Sequence, residues 1–594
     1  FPISLINGKT YVLSFYAKAA KPCGFTAALS NAGREGTLSG APWGDLSNKD
    51  SQFQIGTDWK RYSRSFVADS KGLLIHFSSK GEVLLDGVQL ELGTEPTDFV
   101  SAPVEAELVT ANTDNDLATG GLIEAKFIFS GKAGTEVKAS AEVYNAYREV
   151  LARQTFAVAI GADGTQMLPL PIDAAKLGEG VFIVKLEIQA KGLAPYCEFY
   201  RFSVMKPLAN LHPTKNIFGT LFTWGRIPRG EDCARKLMEW GWGSTSWFSV
   251  DDAKNPLMVS LMRKYKFSNM QTSVGGSIFP KMFPKEKELW KNHTIVYAMD
   301  KVPPEMEAFV EEEACKVLKE VPVDMLPYVA FGNEEEGQRL PVTGQYDEYF
   351  KWQHALARGA KRADPRFKIT PTSGTTSLTD GKLVTYEGYL KAAQNKGFKY
   401  DAVAVHPYGI IDGGTLGNGD MNVMAPKLIA LMEKYGYGKE TPIFFTECFN
   451  IPETYVPEWG ADRSYDAYQS GKPTYDLGNR EFLQAATVAR LYIHCLKFWP
   501  QVQSANIWMT EPFLDTRLTP LMVCKAVNTL GHFMPEVKWK ADVMPDVGVR
   551  GFVFALQDGS AIAPIWCINP DVDNAVSEGI VISTKFAQPV EFYG

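Results

Sequence analysis

Hydrophobic and polar residues alternate along roughly the first two hundred positions of the chain, which is the period of a β-strand with one buried face. The alternation is clear in TYVLSFYAKA, which begins at Thr10, and in EVLLDGVQLELG, which begins at Glu82. Gly, Asp and Pro separate such runs, as they do in the turns of antiparallel sheets. The pattern predicts two β domains, over residues 1–103 and 104–206, and the second has the length of an immunoglobulin-like β-sandwich.

At about residue 207 the pattern changes to short apolar runs, each followed by an amphipathic segment of helical period. The eight runs, in chain order, are IFGTLF, STSWFS, FSNMQTS, LPYVAFGN, KITPTS, DAVAVHPY, PIFFTE and SANIWMT. Strand–helix alternation predicts a parallel sheet, and eight repeats predict a closed (β/α)8 barrel, here over residues 207–534. Residues 535–594 return to strand-like runs and predict a small C-terminal β domain.

Length and charge limit the kinds of partner that the chain could bind and the compartments in which it could lie. Its 594 residues carry a formal net charge of −7, which is not the electrostatic footprint of a nucleic-acid or anionic-membrane binder. No apolar run reaches the length of a membrane span. The first residues, FPISLINGKT, contain neither Met nor a basic and apolar leader. We therefore expect a mature chain that has lost a signal peptide and is secreted or periplasmic.

The motifs that would imply a metal or a cofactor are absent from the sequence. Its eight cysteines include no Cys-x-x-Cys pair, which argues against zinc ribbons and redox motifs and leaves buried thiols or disulfides as the interpretations. The chain has only seven histidines, with no His-x-His or His-Glu-x-x-His pattern. Phosphate-loop and Gly-x-Ser-x-Gly motifs are also missing. We predict that the protein uses no cofactor and no metal.

Polar residues cluster where the predicted barrel strands end. The fourth strand ends in Asn333 and Glu334, the sixth in His406 and the seventh in Glu447. The carboxyl ends of the strands form the face of a barrel on which active sites lie, so the two carboxyl groups are expected to project into one pocket. Paired carboxyl groups cleave glycosidic bonds, because one protonates the leaving oxygen while the other attacks the anomeric carbon or activates a water. Their environments must differ so that one of them stays protonated.

This arrangement resembles the clan A retaining glycoside hydrolases, in which Asn-Glu follows strand four and Glu follows strand seven. The HPY that ends strand six and the Trp on strand eight also match that clan. The resemblance implies that Glu334 is the general acid/base and that Glu447 is the nucleophile. It implies further that Asn333 hydrogen-bonds the 2-hydroxyl of the sugar at the cleavage point.

The same resemblance implies substrate-binding residues around the carboxyl pair. His406 and Tyr408 would position Glu447 or the sugar, and Trp508 would form a floor under the sugar ring, whose C–H faces are apolar. Further candidates at this rim are Trp224, Trp247 and Glu511. The long insert after strand seven, which contains Trp459, is expected to shape the cleft.

Residues 1–103 resemble the later strands of a jelly-roll carbohydrate-binding module. The resemblance is carried by SFYAKA, by the spacing of Trp59, Tyr62 and Phe66, and by the ending LLDGVQLELGTEPTDFV; the opening strands of such a module are missing here. It implies either a sugar-binding domain, with Trp43 and Trp59 as the candidates, or a brace for the barrel. We therefore expect a multidomain α/β protein, a (β/α)8 TIM barrel flanked by N-terminal jelly-roll and immunoglobulin-like β-sandwich domains and a small C-terminal β domain.

Each candidate also has a structural interpretation. Negative charges in a first helical turn suit the helix dipole, which is the interpretation that we favour for Glu335 and Glu336. A carboxylate directly after the buried run PIFF would be costly unless it is paired or functional, which favours catalysis for Glu447. The alternative for His406 is a satisfied histidine that caps a strand, and the alternative for the tryptophans is core packing. Cys448 is expected to point behind the barrel.

We predict a retaining glycoside hydrolase that cleaves β-glycosidic bonds of a plant or algal polysaccharide, or of its oligosaccharides, by double displacement. The predicted partner is therefore a saccharide, and the oligomeric state is left open. Three alternatives keep the same fold: a non-catalytic carbohydrate-binding scaffold, an inverting hydrolase and a transglycosylase. Carboxyl groups about 5–5.5 Å apart indicate retention, whereas a separation of about 6.5–9.5 Å indicates inversion.

Overall fold

The structure, a computed structural model, divides the chain into two compact units. The first unit comprises Phe1–Val204, Pro452–Phe482 and Asp515–Thr519. The second unit comprises Met205–Ile451, Leu483–Leu514 and Pro520–Gly594. The residues that the structure describes are 2–4, 9–31, 52–67, 72–79, 81–99, 104–112, 116–117, 122–146, 149–191, 196–208, 217–220, 230–245, 248–269, 271–282, 302–333, 345–372, 383–407, 410–411, 419–450, 455–456, 461–462, 479–508, 519–543 and 549–567.

The first unit begins with two antiparallel sheets. Their strands are β1 (Pro2–Ser4), β2 (Thr10–Ala19), β3 (Cys23–Asn31), β4 (Gln52–Ile55), β5 (Lys60–Val67), β6 (Gly72–Ser79) and β7 (Val83–Leu92). The strand order is β1-β6-β3-β4 in one sheet and β5-β2-β7 in the other. Alternate residues of β2 from Tyr11 to Ala19 are buried with Phe25 and Ile55 of the other sheet. One face of β2 therefore lies in this core, as the alternation in TYVLSFYAKA predicts, and Val12 and Ser14 on its other face are buried as well.

The same unit continues with two further sheets that enclose one core. Their elements are β8 (Val104–Thr110), β9 (Asp116–Leu117), β10 (Leu122–Gly131), β11 (Glu136–Tyr144), β12 (Val150–Ala159), β13 (Thr165–Asp173), a short helix α1 (Ala174–Leu177), β14 (Gly180–Ala190) and β15 (Tyr196–Val204). The orders are β13-β10-β8 and β12-β11-β14-β15-β9. Phe127 and Phe129 of the first sheet are buried with Phe182 and Phe202 of the second. The predicted strands are present, and the domain boundaries stay predictions.

The region after residue 217 mixes strands and helices. Its strands are β16 (Phe218–Thr220), β17 (Ser244–Thr245), β18 (Phe248–Ser249), β19 (Ser268–Asn269), β20 (Thr272–Ser273), β21 (Tyr328–Ala330), β22 (Lys368–Ile369), β23 (Val403–Val405), β24 (Ile410–Ile411), β25 (Gly419–Asp420), β26 (Ile443–Asn450), β27 (Tyr455–Val456), β28 (Ala461–Asp462) and β29 (Val502–Trp508). Its helices are α2 (Gly230–Trp240), α3 (Val250–Lys254), α4 (Pro256–Tyr265), α5 (Gly275–Met282), α6 (Pro304–Leu318), α7 (Tyr346–Ala363), α8 (Val384–Asn395), α9 (Met421–Lys434), α10 (Asn479–Lys497) and α11 (Met522–Phe533). Among the described helices, none is long and apolar enough to cross a membrane.

All eight apolar runs contain a strand, and the ladders between them are parallel. One sheet has the order β19-β17-β16-β29-β26-β23 and another the order β18-β20-β21-β22. Runs two and three contribute to both sheets, because β17 and β18 belong to run two and β19 and β20 to run three. Numbered by run, the strands therefore lie next to one another in the order six, seven, eight, one, two, three, four, five. The predicted mixed α/β class is confirmed.

Asp401 joins runs five and six, which lie at the two ends of this order. Its main-chain N–H donates to the carbonyl oxygen of Ile369 at 2.8 Å. Its carboxylate accepts a hydrogen bond from the N–H of Ile369 at 2.7 Å. Both main-chain groups of Ile369 are thus bonded to Asp401, two residues before β23, and the described strands close into a ring.

Contacts between non-neighbouring strands identify the inner face of this ring. The aromatic rings of Tyr328 on β21 and Phe444 on β26 lie 4.8 Å apart, centroid to centroid, and Ala402 packs with them. Strands four and seven can meet in this way only across the interior. Phe331 points to the other side, since its ring packs 5.7 Å from that of Trp352 on α7. The interior below the candidate site is therefore filled by side chains.

Helices α6 and α7 pack closely on the outside of the ring. A Cβ at Gly359 would lie 2.3 Å from the carbonyl oxygen of Glu311, so only glycine permits this approach. Arg358 donates to Glu311 at 2.6 Å, and Lys281 donates to Glu313 at 2.6 Å. These hydrogen bonds hold the pKa of each of the two glutamates below its ordinary value.

The C-terminal residues form an antiparallel sheet that packs on helix α10. Its strands are β30 (Lys538–Val543), β31 (Val549–Ala555), β32 (Ala561–Ile562) and β33 (Ile565–Cys567). The imidazole of His494 on α10 lies 5.2 Å from the ring of Phe552 and 5.4 Å from that of Trp566. The part of the predicted C-terminal β domain after residue 567 lies outside the described residues.

Candidate active site

Glu447 and His406 lie side by side at the carboxyl ends of neighbouring strands. β23 and β26 pair in parallel, with Val405 opposite Phe445 as the last pair, so the residues that follow this pair meet at the same edge. His406 Nδ1 lies 3.5 Å from Glu447 Oε2. His406 is 0% exposed and Glu447 is 4% exposed. A carboxylate so well shielded from water is costly unless neighbouring polar groups offset the loss of hydration, and the imidazole is one such group.

The alternation of strand six places His406 on the inner face of the ring. Ala402 packs with Phe444 and Tyr328 in the interior, and the two-residue period through β23 puts residues 402 and 406, which flank it, on the same face. Because Glu447 lies beside His406, its carboxylate also faces the interior. The predicted site role of His406 and Glu447 stays a prediction, but the two side chains have the placement that it requires.

Cys448 points away from this interior. Its Sγ donates to the main-chain oxygen of Asn506 at 3.2 Å. Burial raises the pKa of the thiol, and Cys495 of α10 and the Glu447 carboxylate raise it further. A buried thiol that keeps its proton is a poor nucleophile. The expectation that Cys448 lies behind the strand agrees with these contacts.

Asn333 is the last described residue of the fourth strand, and it is half-buried. It follows Tyr328 on a strand that runs in the same direction as the strand of Phe444 and Glu447. Since Tyr328 and Phe444 meet across the interior, Asn333 and Glu447 lie toward the same edge of the ring on opposite sides. Glu334, the predicted acid/base, lies outside the described residues.

The other predicted site residues are described in part or not at all. The main chain of Trp508 ends β29, where it pairs with Asn450, but its side chain is outside the described part of the structure. The predicted residues that lie wholly outside it are Tyr408, Trp224, Trp247 and Glu511, together with Trp43 and Trp459. Their roles stay predictions.

A buried polar layer beneath this edge was missed by the sequence analysis. Ser244 Oγ and Ser504 Oγ are 2.9 Å apart, and Asn506 Nδ2 donates to Ser504 Oγ at 3.0 Å. A Cβ at Gly219 would lie 2.2 Å from Asn506 Oδ1 and 2.5 Å from Ser244 Oγ, so glycine makes room for both. The available signal was the placement of Ser504 and Asn506 at alternate positions of a strand that is otherwise apolar and buried.

Among the described residues, neither potential metal ligands nor thiols form a second candidate site. No group of three or more His, Cys, Asp and Glu side chains in the described ranges is placed to hold a metal ion. Seven cysteines with described side chains are free thiols, and those at positions 233, 315, 448, 495 and 524 are buried. The expected lack of a cofactor stays a prediction.

Trp59 is the exposed aromatic candidate of the N-terminal sheets. It directly precedes β5 and is 47% exposed. The ammonium group of Lys18 lies over its ring, 5.1 Å from the centroid. An exposed indole beside a cation can stack on a sugar ring or on another apolar surface, so both interpretations of this domain stay open.

Comparison with known families gives one match within the chain. Residues 1–81 match a family model described as a carbohydrate binding domain. No curated protein matches the chain. The predicted resemblance of the N-terminal sheets to a carbohydrate-binding module is therefore confirmed.

Comparison with solved structures returns glycoside hydrolases. The chain is similar to a family 39 glycoside hydrolase from the gut symbiont Bacteroides cellulosilyticus WH2, with a TM-score of 0.51, 12% identity, and coverage of 78% of this chain and 90% of that one. Two further matches are a glucosidase from Croceicoccus marinus (TM-score 0.36, 14% identity, 62% and 84% coverage) and a Bacteroides ovatus GH5 xyloglucanase (TM-score 0.34, 9% identity, 71% and 99% coverage). At 12% identity the first match establishes similarity of fold alone, and at that level the predicted resemblance to clan A glycoside hydrolases is confirmed.

Proposed function

We propose that this protein is a retaining glycoside hydrolase that cleaves β-glycosidic bonds of a plant or algal polysaccharide or its oligosaccharides. Its catalytic domain is a (β/α)8 barrel, flanked by the jelly-roll and immunoglobulin-like domains and by the C-terminal β domain. The observation that carries the proposal is the buried carboxylate of Glu447, which lies near the carboxyl end of the seventh strand, 3.5 Å from His406 Nδ1. The carbohydrate-binding match of residues 1–81 supports a saccharide partner.

In the proposed reaction Glu447 attacks the anomeric carbon while Glu334 protonates the departing glycosidic oxygen. The C–O bond to the leaving group breaks as the bond to the Glu447 carboxylate forms, which gives a covalent glycosyl-enzyme. Glu334, now ionised, removes a proton from water, and that water displaces Glu447 from the anomeric carbon. Two inversions restore the original configuration and both carboxyl groups.

His406 and Asn333 have supporting roles in this proposal. The imidazole limits the freedom of the Glu447 carboxylate, so that one oxygen stays aimed at the sugar. Asn333 donates to the sugar 2-hydroxyl, a contact that strengthens in the transition state of such enzymes. Tyr408, Trp508 and the other rim candidates complete the sugar-binding surface. Plant and algal polysaccharides lie outside the cell that degrades them, which supports a secreted or periplasmic location.

The proposal is tested on 4-nitrophenyl and 2,4-dinitrophenyl β-glycosides of glucose, xylose, galactose and mannose, together with a polysaccharide panel. Glu447→Ala is expected to abolish turnover. Added azide should restore cleavage of the dinitrophenyl glycoside and yield the α-glycosyl azide, because azide then takes the place of the missing nucleophile. Retention is read directly from the anomeric proton of the first-formed product by NMR. The matched control is Glu313→Gln, a second buried glutamate that is bonded to Lys281, and it should keep the wild-type kcat.

Glu447→Ala with wild-type turnover would overturn the assignment of the nucleophile. A product of inverted configuration would indicate an inverting hydrolase, and new glycosidic bonds to an added sugar acceptor would indicate a transglycosylase. The second candidate function, a non-catalytic carbohydrate-binding scaffold, is favoured by the match of residues 1–81. Polysaccharide binding without release of reducing sugar on any member of the panel would support it.

A further inference from the structure

We propose that Asn506 is a positioning residue for Glu447, because it holds the β-bulge that turns the Glu447 carboxylate toward the interior of the ring. The inference rests on the proposed function, in which Glu447 is the nucleophile. The contacts that support this role lie between strands seven and eight.

The pairing of β26 with β29 is irregular at three points, and the one between Phe445 and Cys448 places an extra residue of β26 at the site. Phe445 pairs with Ala505, whereas Cys448 pairs with Ile507. Two residues of β26, Thr446 and Glu447, therefore oppose one residue of β29, which is Asn506. Two residues against one is the definition of a β-bulge, and a bulge redirects the side chains that follow it.

The bulge reverses the side-chain alternation of strand seven. Phe444 points into the ring, where it meets Tyr328. Strict alternation from Phe444 would place Cys448 inside and Glu447 on the outer face, against the helices. The structure has the opposite arrangement, since Glu447 lies beside His406. Without the extra residue, the carboxylate would face away from the substrate.

Asn506 contacts both ends of the bulge. Its Nδ2 donates to the main-chain oxygen of Phe445 at 3.5 Å, just before the two bulged residues. Its own main-chain oxygen accepts the hydrogen bond of Cys448 Sγ at 3.2 Å, just after them. Thr446, inside the bulge, is tied to strand six through its Oγ1, which donates to the main-chain oxygen of Val405 at 3.5 Å. The residue that opposes the bulge is thus also the one that brackets it.

The surroundings of Asn506 fix the position of its amide. The residue is fully buried, and its Nδ2 also donates to Ser504 Oγ at 3.0 Å. On the other side, the missing side chain of Gly219 provides the space that the amide occupies, since a Cβ there would lie 2.2 Å from Oδ1. An amide held in this way keeps one geometry, which is what positioning a nucleophile requires.

The test compares Asn506→Ala and Cys448→Ala with a control in the same region, using the aryl glycoside that the wild type cleaves fastest. Asn506→Ala should lower kcat by about 10- to 100-fold, the effect of a misplaced reacting group, with KM changed by less than about threefold. Cys448→Ala removes only the thiol contact and should lower kcat less, by about threefold or more. The control is Tyr492→Phe, which removes a buried hydrogen bond of 2.6 Å to the main-chain oxygen of Gly219. It should lower Tm and leave kcat unchanged.

A second readout separates positioning from general loss of stability. A 2,4-dinitrophenyl 2-deoxy-2-fluoro-β-glycoside traps the covalent intermediate, and mass spectrometry of the peptide gives the rate at which Glu447 is labelled. This rate should fall with kcat in Asn506→Ala and Cys448→Ala and stay constant in Tyr492→Phe. If Asn506→Ala does not fold, Cys448→Ala decides the question alone.

If Asn506→Ala keeps the wild-type kcat and the wild-type rate of labelling, the inference is wrong and the proposed function is unaffected. If Asn506→Ala does not fold, the same result in Cys448→Ala leads to the same conclusion. Equal losses in Tyr492→Phe would overturn it as well, because the effect would then be one of stability. If the wild-type protein itself is neither labelled at Glu447 nor active on the panel, the proposed function is wrong, and that result is distinct from the others.

Discussion

Lys497 connects helix α10 to the C-terminal sheet, and replacing it with Met should loosen that sheet. The Lys497 side chain is only 11% exposed, and its Nζ lies 2.8 Å from the carboxylate of Asp542 on β30. The same ammonium group donates to Asn422 Oδ1 at 2.9 Å. It also lies 4.8 Å from the ring centroid of Phe552 and 5.3 Å from that of Trp539. Most of its surroundings are therefore protein, so solvent screens these contacts little.

The expected loss of free energy in Lys497→Met follows from these contacts. Hydrogen bonds to a charged group contribute about 1.5–3 kcal/mol, and a shielded cation over an aromatic ring contributes about 0.5–2 kcal/mol. Met keeps the apolar stem in place, and its sulfur regains about 0.3–1.5 kcal/mol against the rings. We expect Lys497→Met to lower the free energy of opening of the sheet by about 2 kcal/mol, which is roughly a 30-fold change in the opening equilibrium.

The assay is hydrogen–deuterium exchange of the main-chain amides in β30 and β31, because a chain of several domains need not unfold in one step. Protection factors there should fall by about 30-fold, while those of β16 should not change. The control is Lys434→Met, since Lys434 has the same kinds of contact, with Glu387 and the ring of Tyr435, but a side chain that is 60% exposed. Exposed pairs contribute about 0–1 kcal/mol. A change below about threefold in Lys497→Met, or an equal change in both variants, would refute the reasoning.

Two further predictions concern the stability of the ring. The hydrogen bond from Lys281 holds the pKa of Glu313 below its ordinary value of 4.5. The stabilising effect of the ionised Glu313 is therefore complete above about pH 4.5, and it is lost as the pH falls through the lower pKa of the folded state. The Tm difference between wild type and Glu313→Gln should therefore be largest near neutral pH and shrink in acid, and a pH-independent difference would contradict this. Gly219→Ala should destabilise the protein by about 1–3 kcal/mol, the cost of overpacking, because its Cβ would lie 2.2 Å from Asn506 Oδ1. Gly276→Ala on α5 is its control, since a Cβ there meets nothing within 4 Å; equal Tm losses in both glycine variants would contradict the packing argument.

The sequence predicted the order of the strands because each apolar run and each amphipathic segment carries its own period. PIFFTE and DAVAVHPY became parallel neighbours, β26 and β23, and the polar residues Glu447 and His406 near their carboxyl ends met. Proximity of this kind follows from topology, since neighbouring parallel strands end at one edge. The sequence could therefore indicate which residues meet before any distance was known.

The sequence could not predict how strand seven turns its side chains. CFN, which follows Glu447, contains no glycine or proline to mark a bulge, and the extra residue appears only in the pairing with β29. The Lys497 contacts were hidden for a related reason, since they join residues of α9, α10 and the C-terminal sheet. Interactions between segments distant in sequence leave no local pattern.

The hydrogen bonds between Asp401 and Ile369 have a consequence for the width of the proposed substrate cleft. Glu447 and His406 belong to the sheet that contains β29 and β16, whereas Asn333 extends a strand of the sheet that contains β20 and β22. The two sides of the proposed cleft therefore belong to different sheets. On one flank, the second and third runs contribute strands to both sheets, and on the other flank Asp401 is hydrogen-bonded to Ile369. In the proposed mechanism, the relative placement of these two sheets therefore sets how far the Glu447 carboxylate lies from the fourth strand, and the separation of the two carboxyl groups decides between retention and inversion.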